Sequence, residues 1–186
     1  MILWQKQEKD TEITKAGLKM HDRLTQSDIR KMEEEAEYRK VTLRPQLLEH
    51  VKEARAHGDL SENFEYKAAK QEKNRNESRI RYLEKMIKSA VVIDDSSKED
   101  EIGINNTVTV EFEDDHSQEK YKIVTTVRAN SLNGLISIES PLGKALMHHK
   151  TGDRILVQVD GSISYYVTVK DIDKTTDDSQ DELNSY

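Results

Sequence analysis

Apolar residues recur at helical spacing twice in the first half of the chain. Ile29, Met32 and Ala36 make one face of a first segment, with Lys31, Glu33, Glu34, Glu35 and Glu37 around the rest. Thr25 followed three residues later by Asp28 has the spacing at which a hydroxyl cap and an N3 carboxylate satisfy free backbone amides, so a helix is expected to begin there. Pro45 lacks an amide donor and crowds the preceding turn, which predicts a kink or a restart with Pro45 in the first turn. Leu47, Leu48, Val51 and Ala54 then resume the helical period until His57-Gly58. A second arm follows through Tyr66, Ala69, Ile80, Leu83 and Ile87, with a very polar middle from residue 70 to 79. Two arms of similar length joined by a few residues normally lie antiparallel, each reaching about 40 Å at roughly 1.5 Å per residue.

At Ala90 the period changes. Val91-Val92-Ile93 leads into a link rich in Asp, Ser, Lys and Glu, after which Val108, Val110 and Phe112 alternate as a half-buried strand does. Further strands are expected over residues 120–127, 135–139, 154–159 and 163–169, with Asp160-Gly161 as a hairpin turn between the last two. Ser140-Pro141 fits an N-cap followed by an N1 proline, opening a short helix through Leu142, Ala145 and Leu146 that can cover one face of a small antiparallel sheet. The expected organisation is α+β: an N-terminal extension over 1–23, a helical hairpin over 24–90, a linker over 91–103, a sheet domain over 104–173, and an acidic, disordered tail over 174–186. Met20 is an alternative start, and no internal repeat is present.

Composition fits this division. Hydrophobic residues are only 34% and charged residues 35% of 186, too little material for one thick core and suited to long solvent-exposed helices. The net charge of -7 argues against indiscriminate phosphate-backbone binding, so nucleic acid contact should be local or assisted by a partner. The absence of cysteine removes disulfides and thiolate chemistry. No apolar run is long enough to cross a bilayer, and residues 1–20 lack the core of a signal peptide; a soluble cytoplasmic monomer with no membrane partner is expected.

Chemistry concentrates where the two arms meet, in Ala54-Arg55-Ala56-His57-Gly58-Asp59-Leu60-Ser61-Glu62-Asn63-Phe64-Glu65-Tyr66-Lys67-Ala68-Ala69-Lys70. Asp59 and Glu62, three apart at the tip, read in two ways. They have the spacing of a capping box for the second arm, with Asp59 as N-cap and Glu62 at N3. Alternatively, they are two oxygen donors toward magnesium, which prefers six oxygens and shares substrate phosphates, so that a partner would complete the site.

The segment from Ala54 to Lys70, with Leu43-Arg44-Pro45 upstream, resembles the hairpin tip of the GreA/GreB transcript cleavage factors. So do Ser140-Pro141-Leu142-Gly143-Lys144-Ala145-Leu146 and Gly152-Asp153 in the second half; the likeness spans about residues 24–173. The resemblance implies a coiled-coil hairpin followed by an FKBP-like domain that docks on bacterial RNA polymerase, with the hairpin entering the secondary channel. It further implies that Asp59 and Glu62 help hold the polymerase's second Mg when the nascent RNA 3' end has backtracked, and that no cofactor is bound by the chain alone. By the same resemblance the factor stimulates the polymerase's own RNA cleavage and is not itself an enzyme. Arg55, Asn63, Tyr66 and Lys70 match tip positions expected to contact RNA or polymerase. Phe64 stands where the family commonly carries a small residue.

Blander readings compete at several of these positions. Arg55, Lys67 and Lys70 are also what a solvated helix face carries, Tyr66 also suits packing across the hairpin, and His57 suits a helix end. His148-His149 point in different directions on a helix and read as surface residues. The rival functions are a polymerase regulator without cleavage activity and a non-catalytic, protein-binding coiled-coil module.

Overall fold

Apolar spacing and the break at Pro45 produce the helices of the first half. The computed structural model describes residues 23–56, 63–161, 163–175 and 177–184; the N-terminal extension and Met20 lie outside these. The described chain divides into a helical unit, Gln26–Ala90, and a sheet unit formed by residues 23–25 and Val91–Asn184.

In the helical unit, α1 (Gln26–Tyr38) runs into a π-helical turn over Arg39–Leu43 and then α2 (Arg44–Ala56); α3 is the 26-residue Phe64–Ser89. The π turn is the form taken by the kink expected at Pro45. A proline ring clashes with the carbonyl four residues back, and widening the helix there removes the clash while the Arg44 amide still reaches the Arg39 carbonyl. Met32, Ala36, Leu47 and Ala54 on the first arm and Ile80, Leu83 and Met86 on α3 are buried.

Between these apolar groups the hairpin is held by charge. Glu35 receives the Arg79 guanidinium through both oxygens at 2.9 and 2.7 Å, and Arg39 Nε at 2.7 Å. Buried Asn76 accepts from Arg39 Nη1 at 3.2 Å and donates to the Arg39 carbonyl at 3.4 Å, tying α3 to the π turn. Arg44 forks onto Glu77 at 2.7 and 2.8 Å. Burial pushes the Glu35 carboxyl up, but hydrogen bonds from Arg79 and Arg39 outweigh it and hold the group below its ordinary value. The Arg44 fork likewise holds Glu77 low.

The sheet unit contains β3 (Thr107–Phe112), β4 (Gln118–Val124), β5 (Leu135–Ser137), β6 (Arg154–Gln158) and β7 (Ser164–Asp173) in the order β5-β4-β3-β7-β6. A register shift at Thr109/Val110 lets β7 carry an extra residue against β3, a bulge that bends the sheet. One face is closed by the short helix α4 (Pro141–Leu146), capped as expected by the Ser140 hydroxyl, which accepts from the Gly143 amide at 3.0 Å. Gly143 is required there, because a Cβ would lie 2.0 Å from the Ser137 carbonyl oxygen. Val108, Val110, Ile123, Leu142, Leu146, Ile155, Val157, Val167 and Val169 share the core.

Four features of this unit depart from the sequence expectation. The sheet is mixed, because β5 pairs parallel with β4; residues 125–134 cross back through two 3-10 turns, at Thr126–Arg128 and Ser131–Asn133. Strand β4 accordingly stops at Val124 rather than running to Val127. Residues of the expected linker, 91–103, take part in the sheet unit: β1 (Arg23–Leu24) pairs parallel with β2 (Val91–Val92), the Ile93 amide donates to the Leu24 carbonyl at 2.9 Å, and Ile102 is fully buried. Lys174 Nζ holds the rest of that loop through Ser97 Oγ, the carbonyls of Lys98 and Glu101, and Asn106 Oδ1. Finally, the acidic end is bound to the sheet unit rather than free, with Asp181 Oδ2 between Lys122 Nζ at 2.7 Å and Arg128 Nη1 at 3.0 Å. Composition measures the apolar surface a segment can bury and does not see these ion pairs.

Among the described residues, no helix is long and apolar enough to cross a membrane.

Candidate functional site

The two arms of the hairpin end on either side of residues 57–62. Asp59 and Glu62 fall in that segment and lie outside the described residues; the positions flanking it are described. Asn63 is the N-cap of α3, with extended backbone and a side-chain oxygen accepting from the Tyr66 amide at 3.0 Å. Its Nδ2 donates to the Ala54 carbonyl at 2.8 Å, a group in the last described turn of α2. One side-chain amide therefore starts one helix and closes the end of the other.

This arrangement overturns the capping-box reading of Asp59 and Glu62. Helix α3 begins at Phe64, so the N3 position belongs to Tyr66 and the cap to Asn63. The sequence signal was present, since asparagine ranks with aspartate as an N-cap, but the Asp59–Glu62 spacing matched the capping-box pattern more closely.

The other expected tip residues lie on the described ends of the arms. Arg55 is exposed on the last turn of α2. Tyr66 is half-buried, with Lys70 Nζ 5.9 Å from its ring centroid. Phe64, 82% exposed, carries Lys67 Nζ 5.7 Å from its ring centroid. At these distances each ammonium is within the attraction of the ring face, worth about 0.5–1 kcal/mol at an exposed site. The Phe64–Lys67 pair was not anticipated; a bulky residue three positions before a lysine on one helix face is the signal that carries it. The start of α3 thus displays two aromatic rings, each accompanied by a lysine.

Among the described residues, no group of three or more His, Asp or Glu side chains is placed to hold a metal ion. His149 is engaged with Asp153, Nδ1 to Oδ2 at 3.0 Å, and His148 adopts a left-handed backbone with φ 66°.

Comparison with known proteins covers both units. Residues 23–92 match the family model described as the transcription elongation factor N-terminal domain, and residues 96–174 match the GreA/GreB C-terminal model. Transcription elongation factor GreA of Caldanaerobacter subterraneus subsp. tengcongensis is 46% identical over 142 residues, 75% of this chain and 90% of that protein. GreA of Thermoanaerobacter pseudethanolicus is 45% identical over 141 residues, again 75% of this chain and 90% of the relative. A crystal structure of GreA factor homolog 1 from Thermus thermophilus aligns over 81% of this chain and 97% of its own, with 28% identity and a TM-score of 0.37. With both units matched and relatives above 40% identity covered nearly end to end, the chain belongs to the GreA/GreB family: it is a transcription elongation factor, not an enzyme in its own right.

Proposed function

We propose that this elongation factor binds bacterial RNA polymerase through its secondary channel and stimulates cleavage of backtracked nascent RNA, with Asp59 and Glu62 as the residues that assist the chemistry. What supports the reading is the tip: Asn63 is the N-cap of α3 and also donates to the Ala54 carbonyl of α2, so the N-cap position does not fall to Asp59. They are hard oxygen donors, the type magnesium takes, and two of them fall well short of its six ligands. Asp59 and Glu62 would hold a Mg shared with the polymerase, whose own groups and the RNA complete the coordination; the ion supplies charge stabilisation and an activated water.

The neighbouring residues have separable tasks in this reading. Arg55, Lys67 and Lys70 attract the phosphates near the RNA 3' end, and the Phe64 and Tyr66 rings offer faces on which a displaced base can stack. Asn63 fixes where the carboxylates are presented. The sheet unit docks on the polymerase.

The test compares wild type with an Asp59→Asn/Glu62→Gln double variant on stalled, backtracked polymerase complexes. Docking and helical content should be retained while stimulated cleavage falls on the order of a hundredfold, the usual cost of removing charge that stabilises a reacting group. Unchanged cleavage removes the metal-assisting role. Equal cleavage of the RNA by the factor without polymerase would instead make it an autonomous nuclease.

A further inference from the structure

The C-terminal segment 177–184 lies beyond the family match, which ends at residue 174, yet it occupies a defined basic site on the sheet unit. Two cations from different elements converge on one carboxylate oxygen: Lys122 of β4 and Arg128 of the 3-10 turn both donate to Asp181 Oδ2. Arg128 is completely buried, and its other guanidinium nitrogen donates to Asn105 Oδ1 at 2.7 Å, which sets the orientation of the fork. Asp178 adds a second carboxylate 3.7 Å from Arg128 Nη1.

Backbone groups complete the seat. Lys122 Nζ also donates to the Asp177 carbonyl at 2.6 Å, the Asn184 amide donates to the Val127 carbonyl at 2.8 Å, and Asn184 Nδ2 donates to the Thr126 carbonyl at 3.1 Å. The site therefore reads a short acidic peptide by charge at one end and by main-chain pairing at the other. The contacts named are ionic and main-chain, so occupancy depends on charge and yields to a competing carboxylate.

We propose that this pocket is a recognition site for an acidic peptide segment of a partner protein, and that residues 177–184 are its tethered internal occupant, closing the site until they are displaced. Tethering gives the internal segment an effective concentration on the order of millimolar, so a weaker external peptide does not enter while the tail is seated. Release leaves Arg128 and Lys122 without their Asp181 partner, which gives the open site its affinity for another carboxylate.

The experiment uses the full-length chain and a fluorescent peptide of residues 175–186. Asp181→Lys places a cation against Lys122 and Arg128 and expels the tail. The variant should bind the added peptide about tenfold or more tightly than wild type, in a salt-sensitive manner, and exchange at the Asn184 amide should accelerate by a similar factor. Adding Lys122→Gln to the Asp181→Lys variant should weaken the added peptide's binding again, while the sheet unit's thermal transition stays in place. Equal binding by wild type and Asp181→Lys, binding by neither, or unchanged Asn184 exchange overturns the proposal.

Discussion

The two units use opposite means of staying folded. In the sheet unit, strands β3, β4, β6 and β7 and helix α4 turn branched apolar residues onto a shared core, and Leu146, Val108 and Val157 are wholly buried. In the helical unit a few apolar residues alternate with charged forks, and the middle is carried by Glu35, Arg39, Asn76 and Arg79. Burial of apolar area requires no particular charge state, whereas partly exposed ion pairs are sensitive to both salt screening and pH. One chain thus pairs a body held chiefly by apolar burial, and by ion pairs at its C-terminal segment, with an arm whose middle rests on partly exposed ion pairs.

The largest break in this comparison should come from Leu146→Ala, which empties a fully buried position beneath the sheet. Denaturant unfolding should show a loss of about 3 kcal/mol confined to the sheet unit, with the helical signal of the hairpin kept. A loss shared equally by both units would mean that they do not fold separately.

A smaller loss is expected from Arg79→Met, which removes the two-pronged partner of Glu35 but leaves Arg39 on that carboxylate. The helical unit should lose ~2 kcal/mol, read from helical dichroism, and the sheet unit nothing. If adding salt destabilises wild type and the variant equally, the Glu35–Arg79 pair is not what salt acts on.

Acid should give the smallest effect and the clearest sign. Glu35 and Glu77 are held below the ordinary value of 4.5, so each stabilises the hairpin in full above that value and loses its contribution as pH falls through the lowered value. Hairpin helicity should therefore decline below about 4.5, with Glu35→Gln flattening the decline. Partly exposed sheet-unit carboxylates such as Glu113 and Asp153 are also held low, but solvent screening leaves them little leverage. An acid midpoint unaffected by Glu35→Gln would assign the sensitivity to other carboxylates.

The sequence carried different parts of the molecule with different clarity. Periodicity found the arms, because Met32, Ala36, Leu47 and Ala54 follow the helical repeat, and Ser140-Pro141 marked α4 through local capping chemistry. Pro45 announced a distortion without its form, and the π turn that results is also contacted by Asn76 of another helix, which donates to the Arg39 carbonyl. The parallel β4–β5 pairing, the Arg23–Leu24 strand and the seating of Asp181 depend on residues far apart in the chain, which no local pattern records. At the tip, the cap of α3 falls on Asn63 rather than on Asp59, because two acids three apart imitate a helix start.

The double hydrogen bond of Asn63 ties the two arms of the hairpin to each other through one side chain. With the Ala54 carbonyl and the Tyr66 amide both satisfied by one side chain, the boundaries of residues 57–62 are fixed by groups outside them. Substitutions at those six positions remove neither anchoring bond, because donor and acceptor of each belong to residues outside them.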